Sequence, residues 1–164
     1  MFAYTGLRRT ELINLNWNDI NLGNNYLIVR KSKNKSQRII PLHERVIDLL
    51  DKYLSERLPL KSNALFIGRT GEYIHHNSLK NLFDRYIKIA GLTSKGYNIY
   101  TLRHTFATRL LNKNVSLVNI KNLMGHRSLE STQIYLHVTG NSWWSQLILF
   151  RISYRKLELI FIIF

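Results

Sequence analysis

Apolar residues recur at helical spacing in several stretches of the chain. Over residues 43–58 they fall at positions i, i+3, i+4, i+7 and i+8, which predicts an amphipathic helix. A second helix is predicted from Ser78, which is suited to cap it, to Gly91, which is suited to end it. Shorter helices are predicted over residues 101–111, after Ser116 and after Ser128. The leucines of residues 7–15 also lie near helical spacing, so helices dominate the prediction.

One stretch is typical of β-structure instead. Residues 26–30 and 37–40 are rich in β-formers, and the six residues between them are polar and include three lysines. This pattern predicts a hairpin with a lysine-rich tip, closed by Pro41. A further short strand is predicted over residues 64–67. Together the patterns predict a mainly α domain with a small antiparallel β-sheet, an α+β fold.

Composition and charge then narrow the functional class. The chain has 164 residues, enough for one domain, and its 45% of apolar residues exclude a wholly disordered chain. With 24 Lys and Arg against 10 Asp and Glu, the net charge is +14, which favours a polyanionic partner such as nucleic acid. The absence of cysteine excludes disulfides, a thiol nucleophile and a Cys-based zinc site.

The last residues differ from the rest of the chain. Residues 141–164 contain many large apolar side chains, but charges at Arg151, Arg155, Lys156 and Glu158 interrupt the run that a membrane-spanning helix needs. The opening residues also lack the basic and apolar segments of a secretory signal. We therefore expect a cytoplasmic protein that does not enter a membrane.

Four segments carry residues suited to phosphate chemistry. They are TGLRRTEL at residues 5–12, the lysine-rich hairpin, YTLRHTFAT at residues 100–108, and LMGH at 123–126 followed by TQIY at 132–135. In this order and spacing they resemble the catalytic domain of the tyrosine recombinases, the phage-integrase and Xer-type family, over roughly residues 1–139. The resemblance implies that fold and a DNA recombinase that cleaves and rejoins strands through a covalent 3′-phosphotyrosine. It also implies double-stranded DNA as partner, a tetramer on DNA, and no metal or cofactor.

The resemblance assigns two arginines to the phosphate. Arg8 and Arg103 supply guanidiniums, which are permanently charged and fork onto two oxygens of a phosphate. Arg9 is the alternative to Arg8, and either is open to the simpler interpretation of a solvated side chain. Glu11 follows Arg8 by one helical turn and is placed to hold a guanidinium.

The family protonates the leaving 5′-oxygen with a lysine in a β-hairpin. Counting back five residues from Arg38, as the family spacing suggests, selects Lys33 as this acid. Lys31 and Lys35 are then phosphate-binding or merely exposed. Hairpin-tip lysines are often only solvated, which is the alternative for Lys33.

The remaining assignments concern ring side chains. His126 is expected to hydrogen-bond the scissile phosphate, or else to be a capping or core histidine, and His104 is expected to pack as a support. Tyr135, nine residues past His126, is expected to be the nucleophile, although an interface or core tyrosine is the alternative. Tyr100 stands where the family usually has a histidine; its phenol can hydrogen-bond a phosphate but cannot take a proton at neutral pH.

The family usually has an N-terminal DNA-clamping domain as well. We expect residues 1–140 to be an N-terminally truncated catalytic domain with exposed apolar surface near Leu7 or Ile13. Residues 141–164 are expected to be an atypical apolar tail, either a docking segment or a frameshifted extension. Two other functions remain open: a catalytically impaired DNA-binding remnant of an integrase, and a basic structural nucleic-acid-binding protein.

Overall fold

The computed structural model describes residues 1–30, 37–59 and 61–136. It is mainly helical, as predicted. The helices are α1 (Phe2–Thr5), α2 (Arg9–Ile13), α3 (Glu44–Arg57), α4 (His76–Ile89), α5 (Ile99–Asn112), α6 (Leu117–Met124) and α7 (Glu130–Gln133). The strands are β1 (Ile20–Asn21), β2 (Tyr26–Val29) and β3 (Arg38–Pro41). Short 3-10 turns span Trp17–Asp19 and Thr93–Lys95.

The three strands form one antiparallel sheet in the order β1-β2-β3. The predicted hairpin is confirmed, since β2 pairs with β3 with Leu27 opposite Ile40. Both of these side chains are fully buried, whereas Ile39, which points to the other face, is 57% exposed. The strand predicted at residues 64–67 is wrong: Ala64 and Ile67 make isolated bridges only, because their partners lie in two different loop segments.

The main core contains residues of the sheet, of helices α1 to α4 and of the loop at residues 64–74. Helices α3 and α4 each bury one apolar face, as their spacing predicts, with Val46 and Leu50 from α3 and Leu79 and Phe83 from α4. A second, smaller cluster joins α5 to α6 and contains Phe106, Ala107, Ile120, Met124 and Tyr135.

Two predicted helix starts are wrong. The cap of α4 is His75 rather than Ser78, because the His75 ring nitrogen Nδ1 accepts the backbone N–H of Asn77. Helix α7 begins at Glu130, two residues after Ser128, whose hydroxyl is instead within 3.2 Å of the Ser131 hydroxyl. The Ser116 cap of α6 is confirmed, since its hydroxyl accepts the Asn119 N–H.

The expected exposure of Leu7 is also wrong. Leu7 is fully buried, and Ile13 packs against the main core. The physical reason is the position of α1, which packs against α5 and buries Phe2. Gly6, at φ 59°, then turns the chain from α1 toward α2.

Among the described residues, the helices are too short and too polar to cross a membrane. The apolar segment 141–164 lies outside the described residues, so its role stays a prediction, as does the cytoplasmic location.

Candidate active site

The C-terminal end of α6 is the centre of the site. Residue Gly125 ends this helix in the left-handed conformation, at φ 65°, and the last carbonyls face other parts of the chain. Three consecutive carbonyl oxygens each accept a hydrogen bond from a different arginine: Leu123 from Arg38 Nε (2.7 Å), Met124 from Arg103 Nη2 (2.7 Å) and Gly125 from Arg8 Nη2 (2.6 Å). We call Arg8, Arg38 and Arg103 the arginine cluster. Cations suit this place because the carbonyl end of a helix is its negative end.

One carboxylate, that of Glu11, lies among these guanidiniums. It accepts bonds from Arg38 Nη1 (3.0 Å), Arg38 Nη2 (2.8 Å) and Arg8 Nη1 (2.9 Å). It also accepts the backbone N–H of Arg8 (2.8 Å), which closes a capping box at the start of α2. Burial by itself would raise the pKa of Glu11, but the bonds and charge of Arg38, together with the bonds of Arg8, lower it to about 2. The carboxylate is therefore ionised at neutral pH.

The third guanidinium, that of Arg103, is the most deeply enclosed. Its residue is 7% exposed, and it donates to the carbonyls of Gly6 and Met124. Burial lowers its pKa to about 10, and the positive charge of Arg8 acts in the same direction. Arg103 therefore stays charged at neutral pH and joins the α1–α2 turn to the end of α6.

The glycines of both turns are packed too closely for a side chain. A Cβ on Gly125 would lie 2.7 Å from Arg38 Nη1 and 3.2 Å from Arg8 Nη1. A Cβ on Gly6 would collide with the ring of Phe106. Both residues also have positive φ, so glycine is needed here for conformation and for space.

His126 follows this turn directly and lies beside the cluster. Its Nδ1 shares a hydrogen bond with the Thr132 hydroxyl (2.9 Å), and Thr132 is fully buried. Burial lowers the pKa of His126 to about 4, and the charges of Arg103, Arg8 and Arg38 contribute in the same direction. The imidazole is therefore neutral at pH 7, with one N–H to donate.

Tyr135 lies between two imidazoles. Its ring is parallel to that of His126 within 13°, at 6.4 Å between centroids, and meets the His104 ring edge-on at 5.2 Å. Tyr135 is 3% exposed. Burial raises the pKa of its phenol, while the charges of Arg103 and Arg8 oppose that rise. Burial of the His104 imidazole lowers its pKa, and the charge of Arg103 acts in the same direction.

The structure thus brings together four of the six residues that the sequence singled out: Arg8, Arg103, His126 and Tyr135. His104 lies against Tyr135, as a support would. The bonds of Arg8 to Glu11 and Gly125 favour it over the neighbouring Arg9. Tyr100 is placed differently, in the first turn of α5 with its side chain 53% exposed. Lys33, like Lys31 and Lys35, lies outside the described residues.

Sequence reasoning missed the structural role of Arg38. In the sequence this residue is only the reference point for the position of Lys33, yet its side chain is 8% exposed and contacts both Glu11 and α6. The alternation of strand β3 contained a usable indication. Arg38 lies on the same strand face as the buried Ile40, so its charge faces inward and needs a partner.

Within the described parts of the chain, no group of three His, Cys, Asp or Glu residues could hold a metal ion. The charges that face Tyr135 are those of guanidiniums. Permanent cations that converge at a largely buried position are suited to bind and neutralise the oxygens of a phosphate.

Comparisons with known proteins agree with this chemistry. Residues 1–141 match the family model described as the phage integrase family. The chain is 35% identical to the tyrosine recombinase XerC of Pelotomaculum thermopropionicum over 144 residues, 82% of this chain and 46% of the relative. It is also 35% identical over 139 residues to a tyrosine recombinase of Thermosipho africanus, 84% of this chain and 47% of the relative. The chain therefore spans about half the length of the curated relatives it matches.

Solved structures give the same result for the fold. The crystal structure of XerA recombinase superposes with a TM-score of 0.79 at 30% identity, over 92% of this chain and 55% of that one. XerH site-specific recombinase bound to palindromic difH substrate superposes with a TM-score of 0.72 at 29% identity, over 88% of this chain and 44% of that one.

Proposed function

Because the chain belongs to the phage integrase family of tyrosine recombinases, we propose that it cleaves and rejoins double-stranded DNA at specific sites through a 3′-phosphotyrosine intermediate. The observation that carries the proposal is the convergence of Arg8, Arg103, His126 and Tyr135 at the end of α6. Residues 1–140 form the catalytic domain in this proposal. Its DNA partner is supported by the XerH relative, which was solved on its DNA substrate.

The reaction exchanges one phosphate ester for another. The phenol oxygen of Tyr135 attacks the phosphorus, a tyrosine–phosphorus bond forms, and the bond between phosphorus and the 5′-oxygen breaks. The phenol proton passes to water, and the 5′-oxygen takes a proton from the proposed acid, Lys33, and leaves as a hydroxyl. A 5′-hydroxyl of the partner strand then attacks the phosphotyrosine and releases Tyr135. One phosphate ester replaces another at each step, so the proposed reaction needs no hydrolysis of a nucleoside triphosphate.

The charges of the site suit the transition state of this reaction. Negative charge grows on the two non-bridging oxygens, and in this proposal Arg8 and Arg103 bind them. The neutral imidazole of His126 donates its N–H to the same phosphate. Thr132 holds that ring through Nδ1. These fixed groups do not have to rearrange when the charge develops.

The reaction needs a group that transfers a proton and, in this proposal, one more hydrogen-bond donor. The pKa of Tyr135 is raised, so the phenol is protonated at neutral pH and must lose its proton as the new bond forms. Lys33 is the proposed acid for the 5′-oxygen. Tyr100, exposed one turn before Arg103, is the proposed additional hydrogen-bond donor from the start of α5. A tetramer on DNA, as the resemblance implies, belongs to the same proposal.

Covalent capture tests this function without a known target sequence. Purified chain is mixed with a library of nicked duplexes that carry a randomised core, so that the short cleaved fragment diffuses away and the adduct accumulates. We expect a DNA–protein complex that survives denaturation, and sequencing of the captured DNA gives the preferred site. Tyr135→Phe should form none, because it lacks the attacking oxygen.

Tyr73→Phe is the matched control, since it removes the same hydroxyl from a tyrosine that hydrogen-bonds Asn16. This variant should form adduct at the wild-type rate. Absence of adduct from the wild type would overturn the proposed recombinase and leave a catalytically impaired DNA-binding remnant as the better description. Adduct that persists in Tyr135→Phe would overturn the assignment of the nucleophile.

A further inference from the structure

We propose that Arg38 is a positioning residue that acts as the counter-ion of Glu11 and thereby leaves the charge of Arg8 available to a DNA phosphate. The inference rests on the proposed function and deepens it, since it concerns the same site. Arg38 itself touches neither DNA nor Tyr135 in this proposal. It acts through Glu11.

The first support is the geometry of the two pairs with Glu11. Arg38 uses both nitrogens of its fork, one on each carboxylate oxygen, at 3.0 and 2.8 Å. Arg8 places a single side-chain nitrogen on one of those oxygens, at 2.9 Å. Bidentate pairs are the stronger and more directional of the two arrangements. Glu11 is therefore paired first with Arg38.

The second support is burial. The Arg38 side chain is 8% exposed, close to the 9% of Glu11, whereas the Arg8 side chain is 26% exposed. The pair of Arg38 and Glu11 thus forms the floor of the site, and Arg8 lies toward the surface, where a phosphate can reach it. The bond from Arg38 Nε to the Leu123 carbonyl holds the floor against α6.

The consequence concerns net charge. Two guanidiniums and one carboxylate leave one positive charge, and the geometry assigns that charge to Arg8. Without Arg38, Glu11 would pair with Arg8 alone, and the two would cancel. A phosphate would then have to compete with a carboxylate for Arg8, in an enclosed place where charge interactions are strong.

The sharpest test compares Arg38→Met with the double variant Arg38→Met, Glu11→Gln. The single variant should form adduct about 10- to 100-fold more slowly than wild type, the range expected for loss of hydrogen bonds to a charged group. The double variant should recover at least about tenfold of this loss, since removing the carboxylate frees Arg8 again. Glutamine also retains the oxygen that accepts the Arg8 N–H at the start of α2.

Two single variants complete the set. Arg38→Lys keeps the charge without the fork, and its rate should lie between those of wild type and Arg38→Met. Arg30→Met is the matched control. It removes an arginine from a second pair with a buried carboxylate, that of Asp19 at 3% exposure, and should leave the rate within about twofold because this pair lies outside the arginine cluster.

A merely structural role predicts a different pattern. If Arg38 only tied β3 to α6, the double variant would be as slow as Arg38→Met or slower, and that result would overturn the proposal. If Arg38→Met fails to fold by circular dichroism, the double variant decides, because it buries no unpaired carboxylate. Adduct within about tenfold of the wild-type rate supports the proposal, and slower adduct or none overturns it.

Titration of Glu11 separates this inference from the proposed function. The carboxyl carbon of Glu11, followed by NMR, should show a pKa that rises in Arg38→Met and is unchanged in Arg30→Met. This measurement needs no DNA. If wild type forms no adduct but the pKa rises as stated, the recombinase proposal fails and Arg38 remains the counter-ion. If the pKa does not move, the counter-ion proposal fails on its own.

Discussion

At the level of single residues, the protonation of His126 follows from its neighbours. Burial and three nearby guanidiniums hold its pKa at about 4, against an ordinary value of 6.5. The folded protein therefore keeps this imidazole neutral over a pH range in which the unfolded chain protonates it. The same neutrality lets His126 donate a hydrogen bond to a phosphate without adding a further positive charge to the arginine cluster.

This difference makes stability depend on pH. Between about pH 6.5 and 4 the unfolded state binds the extra proton, so the free energy of unfolding falls as the pH falls. We expect urea unfolding to show a steeper loss between pH 7 and 4.5 for wild type than for His126→Gln. His104 adds a slope of the same sign, but both proteins share it. Parallel curves for the two proteins would contradict the lowered pKa of His126.

At the level of elements, the site depends on how helix α6 ends. Gly125 turns the chain in a left-handed conformation, which allows backbone N–H groups to satisfy the carbonyls of Lys121 and Asn122. The next three carbonyls are satisfied by the arginine cluster. The end of one helix is thus completed by three side chains from other parts of the chain. These are Arg8, the N-cap of α2, Arg38 in β3 and Arg103 in α5.

Replacement of Gly125 tests this dependence. Gly125→Ala should lower the free energy of unfolding by more than Gly91→Ala, which carries a similar φ of 70° but has nothing within 4 Å of its Cβ. The conformational cost alone is about 1–2 kcal/mol, and Gly91→Ala measures it. The excess in Gly125→Ala reports the collision with Arg38 and Arg8, and adduct formation should fall in that variant only. Equal losses of stability would show that the guanidiniums move aside freely.

The sequence predicts the elements better than the contacts between them. The hairpin and α3 followed from local periodicity, and Arg8 and Arg103 were singled out within short motifs. The pairing of Arg38 with Glu11 joins residues 27 positions apart, so no local pattern contains it. The burial of Leu7 likewise depends on how α1 packs against α5. Residues that act through distant partners are the ones that sequence reasoning misses.

At the level of the whole molecule, the proposed DNA binding and the proposed chemistry depend on different residues. The net charge of +14 far exceeds what the arginine cluster and Glu11 contribute. Most of the proposed attraction for DNA would therefore come from basic residues outside the site, through the release of counter-ions from the phosphates. Removal of the proposed nucleophile, which is uncharged, leaves that attraction intact.

Binding to an intact duplex should accordingly be the same for Tyr135→Phe and wild type. We expect dissociation constants within about twofold, and equal slopes when log affinity is plotted against log salt concentration. Fluorescence anisotropy at several salt concentrations measures both. A shallower slope in Tyr135→Phe would mean that the substitution disturbs the basic surface, and loss of adduct in that variant would then no longer identify the nucleophile.

The three consecutive carbonyls of Leu123, Met124 and Gly125 have a consequence for how the site unfolds locally and forms again. Each accepts a hydrogen bond from one guanidinium, so fraying of a single helical turn breaks all three of these bonds in the same event. Amide hydrogen exchange in that turn should then report the loss of all three arginine–carbonyl bonds as one cooperative unit. With these bonds broken, the guanidiniums would no longer be fixed for the proposed reaction, whereas the basic surface on which the proposed DNA binding depends would remain.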